Sequence, residues 1–134
     1  MSTPVDATRI LIDSHVYIWL LFEQHMVAKN CRRIVEEAEA AYVSAASLWE
    51  LVLKANKGTL KYSPRDLIRG REELGVALLG VSEQHILDTS RLKMPHKDPF
   101  DTMLAAQAKA EGLVLLTADR YLLNSRYPAV DARL

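Results

Sequence analysis

The chain holds a single cysteine, Cys31, among its 134 residues. That excludes an intrachain disulfide and fits a reducing compartment. Four histidines, at 15, 25, 85 and 96, are scattered, so there is no ligand set for a Cys/His zinc site. No excess of charge of either sign exists: 17 Lys and Arg stand against 17 Asp and Glu. A nucleic-acid partner would therefore need a local basic patch, because no global field draws it. Long apolar runs are missing too. The longest, such as "VYIWLLF" (16–22), are far too short to span a bilayer. The opening "MSTPVDATR" has no signal-peptide pattern, and there is no internal repeat, linker or low-complexity segment. These absences lead to the expectation of one cytoplasmic domain over residues 1–134, with 1–8 as a flexible lead-in.

What is present alternates. Short β-branched or aliphatic runs predict strands at "RILID" (9–13), "AYVS" (41–44), "VALLGV" (76–81), "LVLLT" (113–117) and "AVDA" (129–132). Between them, helical spacing and capping residues predict helices over 14–23, 26–40, 45–58, 63–75, 82–92 and 98–112, and a helical turn over 118–124. Strands alternating with helices argue for a three-layer α/β/α sandwich, with a central mostly parallel sheet of four to five strands.

In such a sheet, ligands bind beyond the carboxyl ends of the strands. Four acids fall there. Asp13 ends the first strand, Glu50 lies one to two turns into the helix after the second, and Asp119 follows the fourth. Asp101 lies in the first turn of the helix that enters before the fourth strand. Each also has a purely structural reading. Asp13 and Asp119 could cap the helices that follow them, and Glu50 could close a capping box with Ser47. In "HKDPFDTMLAAQAKAEG" (96–112), Asp98 suits the N-cap, Pro99 the first helical position, and Gly112 the stop. Asp101 there complements the helix dipole. Convergence of all four acids would be a different matter. Carboxylates on one spot repel, so at least one must be protonated or a cation must join them. An oxygen-only cluster prefers a hard cation, Mg²⁺ or Mn²⁺, and suits metal-assisted phosphodiester hydrolysis.

The four acids in these contexts resemble the PIN-domain family, and within it the VapC-type toxins of bacterial toxin–antitoxin pairs. "LIDSHVYIWLL" (11–21) is similar to that family's opening strand and helix, with Asp13 as its metal-binding aspartate. "SAASLWELVLKANKGTL" (44–60) carries the glutamate, Glu50. "HKDPFDTMLAAQA" (96–108) carries the third acid, Asp101. "LLTADRYL" (115–122) supplies Thr117 and Asp119. The likeness runs from about residue 9 to 131. It implies a Mg²⁺- or Mn²⁺-dependent endoribonuclease acting on RNA, a homodimer, and a cognate antitoxin whose tail blocks the site. It makes Asp13, Glu50, Asp101 and Asp119 the metal-binding and catalytic set, with Ser14, Asp98 and Thr117 in support. There are two departures: Ser14 stands where Thr is common, and Thr102 where Arg is usual.

Lys54, Lys57, Lys61, Arg65, Arg69 and Arg71 form the densest basic segment. They are candidate phosphate contacts of low sequence preference, or equally a solvated helix face. Trp19, Phe22 and Trp49 occupy apolar helical positions and read as core, with a groove for an antitoxin helix as the alternative. The apolar faces around "VYIWLLF" and "SLWELVL" suggest the dimer contact. His15 and His96 receive no role. Two other functions fit the sequence less well. A phospho-receiver domain needs an Asp at the end of its third strand, where this chain has "GVSE". A catalytically inactive PIN-like binding module would not need all four acids.

Overall fold

A computed structural model of the chain describes residues 9–92, 98–124 and 128–133. The lead-in at 1–8 and the loop at 93–97, with His96, lie outside the described residues. The elements in order are β1 (Arg9–Ile12), α1 (Ser14–Phe22), α2 (Lys29–Glu37), β2 (Ala40–Ser44), α3 (Ala45–Asn56), α4 (Pro64–Leu74), β3 (Ala77–Leu79), α5 (Glu83–Thr89), α6 (Pro99–Glu111), β4 (Val114–Thr117), α7 (Arg120–Leu123) and β5 (Ala129–Asp131). The helix expected over 26–40 is shorter at its start. A 3-10 turn at Gln24–Met26 precedes it, and Ala28 in extended conformation separates the two.

All five strands are parallel, in the order β3-β2-β1-β4-β5. That order differs from the 2-1-3-4-5 order of receiver domains, which removes that reading on topology. The chain steps outward from β1 to β2 to β3, then crosses back to β4 and steps outward to β5. Direction therefore reverses between β1 and β4, and a crevice opens at their carboxyl ends.

The two faces of the sheet follow from the period of two along each strand. Ile10, Ile12, Val43 and Leu116 join Val16, Tyr17, Leu48 and Leu67 in one core, under α1 to α4. Leu11 and Leu115 join Leu104, Ala108 and Leu122 in the other, under α6 and α7. The central strands are apolar on both sides because both faces are covered. The edge strands β3 and β5 have three residues each, and short edges limit unwanted pairing. No helix among the described residues is long and apolar enough to cross a membrane.

Helix ends are set by local capping residues. Ser63 caps α4 through the Asp66 amide, Ser82 caps α5, and Asp98 caps α6 with Pro99 at the first position. Helix α6 stops at Gly112, at φ 66°, where its own amide and that of Leu113 return to the Ala108 carbonyl. A Cβ there would meet only Arg9 Nη1 at 3.9 Å, so the position tests backbone strain without a clash. Gly112→Ala is expected to cost about 1–2 kcal/mol, the penalty of a left-handed L-residue, read as a lowered urea midpoint with unchanged slope.

Candidate active site

Asp13 follows β1 directly. Its amide still joins the ladder, donating to the Leu116 carbonyl of β4 at 3.0 Å. The side chain is buried. One oxygen caps α1, accepting from the amides of His15 at 2.8 Å and Val16 at 3.1 Å. The other accepts a short hydrogen bond from the Thr117 hydroxyl at the end of β4. Thr117 Oγ1 in turn accepts from the Asp119 amide at 2.9 Å, and Asp119 caps α7 through the Tyr121 and Leu122 amides. One hydroxyl thus ties together both sides of the β1/β4 crevice.

Glu50 comes from α3, behind the neighbouring strand β2. Ser14, the first residue of α1, donates to Glu50 Oε1 at 2.9 Å. The capping box with Ser47 is not formed. Helix α3 begins three residues earlier, with Ser44 as its cap through the Ala46 amide, and the hydroxyl of buried Ser47 has no partner. Glu50 is left to face Ser14. Asp101 stands in the first turn of α6, which runs antiparallel to β4 and so begins at the carboxyl edge. Its cap is supplied by Asp98, whose Oδ1 accepts from the amides of Phe100 at 2.9 Å and Asp101 at 3.3 Å. Thr102 spends its hydroxyl on the Asp98 carbonyl at 2.9 Å. The capping readings of Asp13 and Asp119 therefore hold alongside the convergence. A carboxylate has two oxygens, and capping uses one.

The electrostatics measure that convergence. The Asp101 carboxyl is pushed up to about 8, first by burial, then by the charges of Asp98, Asp119, Asp13 and Glu50. The three other candidate acids, plus one cap, thus act on a single group. Burial also raises Asp13, against the hydrogen bonds from Thr117 and the α1 amides, which lower it. Among the described residues, no three His, Cys, Asp or Glu side chains close tightly enough to hold an ion alone. The donor set is nevertheless all oxygen, and Mg²⁺ keeps several of its waters, needing only one or two carboxylates directly. Such a set fits a hard divalent cation.

Two aromatic assignments change. Trp49 is 62% exposed, not core. It meets Phe100 edge-on, centroids 5.8 Å apart. With Val81, Ile86 and Met103 they line an apolar groove of about 630 Å³ beside the acids. Phe22 is half-exposed and stacks on Tyr62 at 4.0 Å, while Trp19 packs against the core as expected. Lys54, grouped in the sequence only with other basic residues, reaches the site. Its Nζ lies 3.5 Å from Glu50 Oε2. The i,i+4 spacing from Glu50 was the available signal.

The raised carboxyl has a consequence for stability. Between the ordinary value of 3.8 and about 8, the folded chain keeps on Asp101 a proton that the unfolded chain has released. Stability of the metal-free protein therefore falls as pH rises through that window, and Asp13 acts in the same direction. Melting in EDTA is expected to drop from pH 5 to pH 8, and Asp101→Asn to flatten most of that slope. A wild-type melting temperature that climbs over the interval would contradict the assignment.

A family model described as "PIN domain" matches residues 10–125. Ribonuclease VapC22 of Mycobacterium tuberculosis is 26% identical over 124 residues, covering 90% of this chain and 95% of that protein. Among solved structures, a DNA-bound VapBC from Salmonella typhimurium aligns with a TM-score of 0.70 at 20% identity, over 92% of this chain and 97% of the other. A toxin–antitoxin complex from Klebsiella pneumoniae aligns at 0.62 and 17%, over 92% and 97%. The matched span runs from β1 through α7 and takes in all four acids at the β1/β4 crevice, and on that match this chain belongs to the PIN domain family.

Proposed function

We propose that the protein is a Mg²⁺- or Mn²⁺-dependent endoribonuclease of the cytoplasm, the toxin of a toxin–antitoxin pair, held in check by a cognate antitoxin and acting as a homodimer. The observation that carries the reading is the Asp101 carboxyl, raised by burial and then by four other acids at the switch point of a parallel sheet. The ribonuclease named among its relatives and the toxin–antitoxin assemblies among its structural neighbours support the substrate and the partner.

A bound divalent cation would supply a water of lowered pKa and offset charge on the attacked phosphate. Asp13, Glu50, Asp101 and Asp119 are the residues to hold it. Asp13 is fixed by Thr117 and two amides, so its carboxylate needs no reorganisation. Ser14 orients Glu50. Asp119 is anchored through its amide and its cap. Asp101 keeps its carboxyl proton up to about 8 without metal and would give it up to help hold a bound cation. Asp98 keeps α6 capped, which leaves Asp101 to face the other acids.

Asp13→Asn, Glu50→Gln and Asp101→Asn are each expected to lower Mg²⁺-dependent RNA cleavage by orders of magnitude without loss of fold, because none adds charge to a self-repelling set and Asn keeps the neutral form that Asp101 has without metal. Asp98→Asn should cost little stability, since Asn caps almost as well, and cleavage should persist. Fragment analysis with purified chain, with and without EDTA, checks this. If Asp98→Asn is dead and Asp101→Asn active, the two roles are reversed.

The apolar groove supports the homodimer through the "SLWELVL" face, which carries Trp49, over the "VYIWLLF" face. Most of "VYIWLLF" is buried in the chain's own core: Val16, Tyr17, Ile18 and Leu20 are all inside. The surplus lies instead at Trp49, Ile86, Phe100 and Met103. Phe100 adjoins Asp101, and Trp49 adjoins Glu50. A second copy seated there would set two acid sites side by side. Trp49→Ala is expected to shift the protein to monomer in light scattering at micromolar concentration, while Phe22→Ala leaves it dimeric.

A further inference from the structure

RNA entering this crevice meets carboxylates on every side, so a phosphate must find a cation there. The first turn of α6 supplies none from position 102, where the Thr102 hydroxyl is engaged by the Asp98 carbonyl. Helix α3 does. Lys54 lies one turn beyond Glu50 on the same face, its ammonium 3.5 Å from Glu50 Oε2. Three features make this contact a resting position and not a structural bond. The distance is longer than the 2.7–2.9 Å typical of a charge-assisted hydrogen bond. The lysine side chain is 38% exposed, against 14% for the glutamate. Glu50 is already oriented through its other oxygen by Ser14 at 2.9 Å. Glu50 therefore keeps its place without Lys54, and Lys54 loses little by leaving it.

We infer that Lys54 is the phosphate-contacting residue of the site: its ammonium leaves Glu50 for a non-bridging oxygen of the RNA strand, and Glu50, still oriented by Ser14, would then be free to help hold a cation. This assignment rests on the nuclease reading and adds the residue that admits the substrate. A compact ammonium on a flexible stem suits the exchange, because it has no fixed fork geometry to rebuild. The contact is to backbone, so it carries affinity and not sequence preference.

The experiment uses the full chain with Asp13→Asn, so that the strand is not cut, and a short single-stranded RNA at a fixed Mn²⁺ concentration. Affinity is measured against monovalent salt. Adding Lys54→Ala or Lys54→Gln is expected to reduce the slope of log affinity on log salt by about 0.7, the value of one single-strand phosphate contact. Lys54→Arg should retain the slope. Calorimetry of otherwise wild-type Lys54→Ala should show Mn²⁺ binding as tight as before or tighter, because the competitor for Glu50 is gone. In cleavage by that chain, KM should rise more than kcat falls. An unchanged slope, or weakened Mn²⁺ binding, overturns the inference and makes Lys54 a positioning residue for Glu50. Absence of RNA binding by the Asp13→Asn chain at low salt overturns it as well. Absence of metal-dependent cleavage by the wild type is a separate result. It removes the nuclease reading, while the salt slope still decides the phosphate contact.

Discussion

Burial, and then repulsion from Asp98, Asp119, Asp13 and Glu50, pushes the Asp101 carboxyl up to about 8 unless something offsets the charge. That repulsion is the constraint around which the carboxyl edge is built. Left to themselves, the acids would spread into solvent. They are held instead by neutral donors: Thr117 and two amides on Asp13, Ser14 on Glu50, and two amides on Asp119. Neutral donors fix geometry without cancelling the charge that a cation would need. A salt bridge to every acid would have made a more stable edge and a poorer binding site.

The sheet order explains why so few residues suffice. Because direction reverses between β1 and β4, the residues after these two strands face one another. Asp13 after β1 and Thr117 at the end of β4 are 104 positions apart in the chain yet share a hydrogen bond. Helix α6 completes the arrangement from the opposite direction. A crossover helix that precedes a parallel strand must begin where the strand ends, so its capped N-terminus arrives at the same crevice. The positive end of that helix favours negative charge near it, which partly offsets the crowding of acids.

Most of this was legible from the residues in order. Asp98 announced a helix start and Gly112 a stop, because capping chemistry is local. The two-sided apolar strands announced a covered sheet. The positions of Asp13, Asp101 and Asp119 followed from one rule about strand ends. What local reasoning could not supply was partner choice. Ser44 and Ser47 are both plausible caps for α3, and only the packing of Ser47 into the core decides between them. Trp49 has the hydropathy of a core residue. Its exposure depends on how α3 packs against its neighbours in the fold, which no short window records. The Lys54–Glu50 pair was hidden for a similar reason: a lysine among other basic residues looks like surface until its neighbour is known to face a site.

Helix α3 carries three jobs on one cylinder, and this binds the groove to the chemistry. Leu48 and Leu51 enter the core, Glu50 and Lys54 turn to the crevice, and Trp49 and Leu53 stay exposed. At 3.6 residues per turn these sets lie on different sides, each repeating after three or four positions. A helix locked by its core face cannot rotate to favour one of the other two. Pressure on Trp49 from a second copy would therefore be borne by Leu48 and Leu51 and by the Phe100 edge of α6 before it reached Glu50. The rigid face between groove and site is what allows an apolar contact to lie one residue away from two catalytic candidates, Glu50 and Asp101, without deforming either.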